Sequence, residues 1–125
     1  PEVRPKGYLE IRTVDVPPKG WEFVPLIFYT GLLYHQHTMK KAINLLLPLS
    51  CDLNGMIHDA SFGYKTDSLY SFALELVNYA IEGYNCLPIK FRGEIHVDQL
   101  IEFKECYVSK KLCFADDSIM NYSSK

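Results

Sequence analysis

Tyr8-Leu9-Glu10-Ile11-Arg12-Thr13-Val14-Asp15 is the stretch whose reading decides the fold. Its β-branched and aromatic content and its alternation predict a strand. Val16-Pro17-Pro18-Lys19-Gly20 stops that strand, because proline donates nothing to a ladder and glycine supports a turn. Ahead of it, Pro1–Gly7 holds two prolines, a glycine and three charges, and reads as an irregular approach. Alternation sends Tyr8, Glu10, Arg12 and Val14 to one face and Leu9, Ile11, Thr13 and Asp15 to the other. With Leu9 and Ile11 against a helical layer, Glu10 and Arg12 stand side by side on the opposite face. A lone strand leaves its backbone groups without neighbours. It is therefore expected to pair with strands outside this chain, and the sequence reads as the C-terminal piece of something larger.

After Gly20 the periodicity turns helical. Trp21 to Tyr34 is apolar or aromatic at nearly every position, which predicts a helix buried on most sides, with Pro25 tolerated only in its first turn. Thr38 is the expected N-cap of a second helix. There Met39, Ala42, Ile43, Leu46 and Leu47 form one apolar stripe that Pro48 ends. From Ser50 to Thr66, Asn54-Gly55 and Gly63 suggest turns around a short helical piece at most. Thr66 or Asp67 caps a helix in which Leu69, Phe72, Ala73, Leu76 and Ala80 share a face, closed by Gly83. A last helix starts near Asp98 and runs through Leu100, Ile101 and Val108, and the polar stretch from Ala115 to Lys125 is expected to fray. The fold class that follows is α+β, one strand followed by four or five helices. Its expected layout is an active-site strand and turn over residues 1–20, a helical cluster over 21–114 and a tail over 115–125.

The chain has 125 residues, 48% hydrophobic and 22% charged, so it is one folded domain or less. Thirteen Lys and Arg stand against fifteen Asp and Glu. A phosphate-backbone binder needs a cationic surplus, so nucleic acid is not the expected partner. The longest apolar run, Phe23–Tyr34, falls short of the roughly 20 residues that a membrane span needs. Pro1 is the first residue and no basic-then-apolar leader follows it. Cys51, Cys86, Cys106 and Cys113 lie far apart with no Cys-x-x-Cys, and are expected to be reduced, mostly buried thiols of a cytoplasmic protein.

Glu10 and Arg12 are the residues whose pattern can carry chemistry. An acid and a guanidinium two residues apart on one sheet face suit a metal–phosphate site, where the carboxylate holds Mg²⁺ and the guanidinium neutralises a transferring phosphoryl group. The same pattern also describes a surface ion pair worth under about 1 kcal/mol. Asp15, on the other face, pairs with Lys19 or caps the Trp21 helix. His35 and His37, two apart beside a helix end, do not place both rings on one metal. His58–Asp59 and His96–Asp98 stand without a nucleophile, and no Walker or dinucleotide phosphate loop is present.

The run Pro1-Glu2-Val3-Arg4-Pro5-Lys6-Gly7-Tyr8-Leu9-Glu10-Ile11-Arg12-Thr13-Val14-Asp15 resembles the late active-site strand of glutamate–cysteine ligases. Its nearest likeness is to the plant-type and actinobacterial (ergothioneine-pathway) branch. The likeness continues through Pro17-Pro18, Trp21 and Pro25 into Gly31-Leu32-Leu33-Tyr34, and more faintly from Asp67 to Gly83. It implies the C-terminal piece of a glutamine-synthetase-like catalytic domain, Mg²⁺ held by Glu10 and the transferring phosphate contacted by Arg12. It further implies that ATP phosphorylates the γ-carboxylate of glutamate and that the amine of cysteine attacks. Arg4 and Lys6 could reach a nucleotide phosphate, or be solvated basic residues beside a turn.

Most of the family's active site has no counterpart in this sequence. The chain is thus expected to be a fragment of a longer polypeptide or one part of a split enzyme, inactive alone. Residues 50–66 match the family poorly, and its redox control through cysteine pairs does not carry over. The resemblance leaves the amine open, since relatives join glutamate to other amines. A rival reading is a non-catalytic helical module that uses the strand as a docking element.

Overall fold

The computed structural model describes residues 3–11, 14, 16–65 and 67–117. Its first element corrects the expectation of a lone strand. β1 (Val3–Pro5) and β2 (Leu9–Ile11) form an antiparallel hairpin, with Val3 opposite Ile11, Arg4 opposite Glu10 and Pro5 opposite Leu9. The approach read as irregular is itself a strand. Gly7, at φ +80°, supplies the left-handed residue of the connection, and Lys6 N–H donates to the Tyr8 carbonyl at 2.8 Å. Pro5 is compatible with β1 because that strand is an edge, where a missing N–H breaks no ladder. Thr13 and Asp15, part of the expected strand, lie outside the described residues.

Six α-helices follow among the described residues: α1 (Val24–Leu33), α2 (Gln36–Leu46), α3 (Leu53–Ala60), α4 (Asp67–Cys86), α5 (Ile89–Arg92) and α6 (Asp98–Cys106). Pro25 does fall in the first turn of α1. That helix end has no side-chain cap of its own; Phe23 N–H donates instead to Gln99 Oε1 of α6 at 3.2 Å. α2 ends before Pro48, which lies in the first turn of a 3₁₀ segment, Leu47–Asp52. No helix among the described residues is long and apolar enough to cross a membrane.

Several local expectations give way to tertiary packing. Thr38 is no cap. It lies inside α2, fully buried, and its hydroxyl sits 2.9 Å from the Gly31 carbonyl and 3.0 Å from that of His35, where it satisfies acceptors at the α1–α2 corner. Asn54-Gly55 is no turn, because the Asp52 carboxylate accepts from Gly55 N–H at 2.9 Å and caps α3 around it. Gly63 does turn the chain, at φ +66°. Gly83 does not end α4; the helix runs on to Cys86. The helix near Asp98 begins as expected but stops at Cys106, and Val108 belongs to a 3₁₀ turn, Val108–Lys110. Residues 114–117 form a helical turn where the sequence predicted fraying from Ala115.

The core lies where α1, α4 and α6 meet. Ile27, Ala80, Leu100 and Val108 are fully buried there. α1 and α4 touch backbone to backbone: a Cβ on Gly31 would collide with the Ala80 carbonyl, and one on Gly83 with the Gly31 carbonyl. That close approach brings Val77, Ala80 and Tyr84 of α4 onto Val24, Ile27 and Leu32 of α1. α1 is nonetheless not covered on most sides, since Phe23, Leu26 and Leu33 around it remain exposed. Trp21 anchors a second aromatic group, its ring 5.4 Å from Tyr107 and 6.0 Å from Phe114. The Tyr107 hydroxyl donates to Asp117, which with burial pushes the phenol up to about 12.

The four cysteines are free thiols and, contrary to expectation, all exposed. Cys86 and Cys106 are the last residues of their helices, Cys51 lies in the 3₁₀ segment after α2, and Cys113 lies between helical turns, so none reaches the core.

Candidate functional site

The hairpin sorts its side chains as the alternation of a strand demands. Val3 and Ile11, opposite one another, turn toward the helices and line a cavity with Phe28, Tyr29 and Leu32 of α1. Arg4 and Glu10, the next pair along, therefore project from the other face, away from the helical layer. This is the orientation that the sequence assigns to Glu10.

The neighbours of Glu10 come from across the turn. Arg4 stands directly opposite it, and Lys6 Nζ approaches Glu10 Oε2 to 3.1 Å. That oxygen is shielded from solvent, and its contact with Lys6 is an ion pair whose geometry does not complete a hydrogen bond. The side chains of Lys6 and Glu10 are 49% and 35% exposed, so the site is open and the pair is only partly desolvated. Arg12, the partner expected from the strand pattern, lies outside the described residues, as does Asp15. The grouping of Arg4, Lys6 and Glu10 was missed because residues 1–7 read as irregular. The signal was available: a glycine between two short runs marks a hairpin.

Two cationic side chains around one carboxylate give a local surplus of positive charge. Such a group attracts a polyanion and leaves one acidic oxygen with an unfilled acceptor. Glu10 thus fits as one carboxylate of a divalent-cation site, but it is a single ligand. Among the described residues no three His, Cys, Asp or Glu side chains are grouped to hold a metal. Two apolar cavities, of about 840 and 730 Å³, are lined by neither Arg4 nor Glu10. Their aliphatic and aromatic walls do not suit a triphosphate.

The histidines settle elsewhere. His35 precedes α2, with Nδ1 3.3 Å from Thr38 Oγ1, and its ring lies 6.4 Å from that of His37. Beside them, Glu82 takes Lys41 Nζ on both oxygens, at 3.0 and 2.9 Å. That hydrogen bond lowers the Glu82 carboxyl below its ordinary range against the opposing cost of burial, and the Lys41 charge adds to the lowering. The pair braces α2 against α4 at the surface.

Residues 1–60, which contain the whole hairpin and end with α3, match the family model described as glutamate-cysteine ligase family 2. That match supports a glutamate–cysteine ligase-like family and a ligase-type enzyme. It covers both strands, Arg4, Lys6, Glu10 and the position of Arg12. No curated protein and no solved structure matches the chain.

Proposed function

We propose that this chain is part of an ATP- and Mg²⁺-dependent carboxylate–amine ligase, of the plant-type and actinobacterial branch. In this reading it contributes to joining the γ-carboxylate of glutamate to the amino group of cysteine, in the cytoplasm. The observation that carries the reading is the family match across a hairpin whose one polar face presents Glu10 opposite Arg4. A glutamine-synthetase-like sheet, completed by the remainder of the enzyme or by a companion chain, would build the walls of the active site around that face.

The chemistry explains why such residues are needed. A carboxylate is a poor acylating agent, and transfer of the terminal phosphoryl group of ATP gives it a leaving group. The amine then attacks the acyl carbon, the C–O bond to phosphate breaks, and ADP and phosphate are released. Two anions must meet for the first step, so positive charge has to be held ready at the meeting point. Arg12 is assigned to the transferring phosphate and Arg4 to the nucleotide. Glu10 would hold Mg²⁺, which supplies screening of the triphosphate charge.

The test is ATP-dependent phosphate release by the full-length protein with glutamate and a panel of amine acceptors. Release that requires both glutamate and cysteine is the expected result. Release with a different amine keeps the ligase and changes its acceptor. A protein that folds and binds partners but releases no phosphate with any acceptor contradicts the enzyme reading and favours the helical docking module.

A further inference from the structure

Lys6 occupies the place beside Glu10 that a cation would take. Its ammonium lies 3.1 Å from an oxygen that is closed to solvent and otherwise without a hydrogen-bond partner. The two residues are joined by the hairpin turn, and Gly7 at φ +80° sets the approach. A half-exposed ion pair of this kind contributes no more than about 1 kcal/mol, or roughly fivefold in an equilibrium. It is strong enough to hold the carboxylate in position and weak enough to be given up.

We propose that Lys6 is an exchangeable counter-ion: it neutralises Glu10 until a divalent cation binds there, and its released ammonium then contacts a phosphate of the nucleotide. The inference rests on the ligase reading above and extends it to Lys6, for which the sequence leaves open a nucleotide phosphate or solvent. The exchange follows from charge. A dication at Glu10 repels Lys6, and the flexible four-carbon stem lets the ammonium swing away from the carboxylate without disturbing the strand. The arriving triphosphate offers it a new anion. Arg4, opposite Glu10, adds a second cation to the same hairpin face.

The experiment compares the full-length wild type with Lys6→Met, which keeps the aliphatic stem and removes the charge. Mn²⁺ alone, followed by electron paramagnetic resonance, is expected to bind the variant about two- to fivefold more tightly, because no internal cation has to be displaced. Mg²⁺·ATP, followed by calorimetry, is expected to bind about tenfold more weakly, for loss of one charged phosphate contact. A merely structural Lys6 would not tighten a metal site. An unchanged or weaker Mn²⁺ affinity overturns the exchange, as does an unchanged Mg²⁺·ATP affinity. If the wild type binds both ligands and the variant behaves identically, the exchange fails while the ligase reading stands. A wild type that binds neither rejects both.

Discussion

Arg12→Lys in the full-length protein is expected to lower the rate of ATP-dependent ligation about 10³-fold, with little change in folding. The size of the effect comes from geometry rather than charge. Guanidinium presents a planar fork that can engage two oxygens of a phosphoryl group at once, whereas an ammonium is a single point of charge. As charge spreads over the equatorial oxygens in the transition state, a positioned arginine gains contacts that the ground state lacks. Removing such a group costs on the order of 10³ or more. The measurement is steady-state phosphate release under saturating substrates, with circular dichroism to verify the fold. Activity within about threefold of wild type would remove Arg12 from the reacting phosphate.

Gly83→Ala is expected to be the most damaging of the small substitutions. In an exposed helix, alanine for glycine gains up to about 1 kcal/mol. Here the sign reverses. The new methyl would overlap the Gly31 carbonyl and stand 2.5 Å from Thr38 Oγ1. Neither can retreat: the carbonyl belongs to α1, and the Thr38 hydroxyl is tied to that same carbonyl and to His35. The helices must move apart, and the contacts of Val77, Ala80 and Tyr84 with α1 loosen with them. Overpacking of a close-packed interior costs about 1–3 kcal/mol and sometimes more. A fall in melting temperature of roughly 10 °C is expected for a chain of this size. An unchanged or raised melting temperature would contradict the backbone contact between α1 and α4.

What the sequence discloses and what it conceals divide along physical lines. Features set by local chemistry are legible: Pro25 in a first turn, the stop before Pro48, the helix from Asp67 and the start of α6 at Asp98. Features set by distant partners are not. Gly83 carries the pattern of a helix stop, yet it is glycine because Gly31 crosses it. Thr38 has the chemistry of a cap, but it is buried where α1 meets α2. Asn54-Gly55 is a strong turn signal that the Asp52 carboxylate overrides three residues upstream. α5 is only four residues long and lies beyond the reach of periodicity.

The site divides in the same way. Glu10 and the face it occupies follow from period-two alternation alone. Its opposition to Arg4 and its contact with Lys6 need the hairpin register, which turns on one glycine in a segment rich in proline and charge. The prediction that the sheet is completed elsewhere is refined in consequence. β2 has a partner within this chain, and a two-stranded ribbon still needs further support to be stable in water.

The central claim is that Glu10 serves a divalent cation on the open face of the hairpin. Its most direct test is the Mg²⁺ dependence of ATP-driven phosphate release in wild type and Glu10→Gln, which keeps the side chain's shape and removes its charge. A Mg²⁺ requirement displaced to markedly higher concentration in the variant is the predicted result. Superimposable Mg²⁺ titrations would contradict it and take Glu10 out of the metal's coordination.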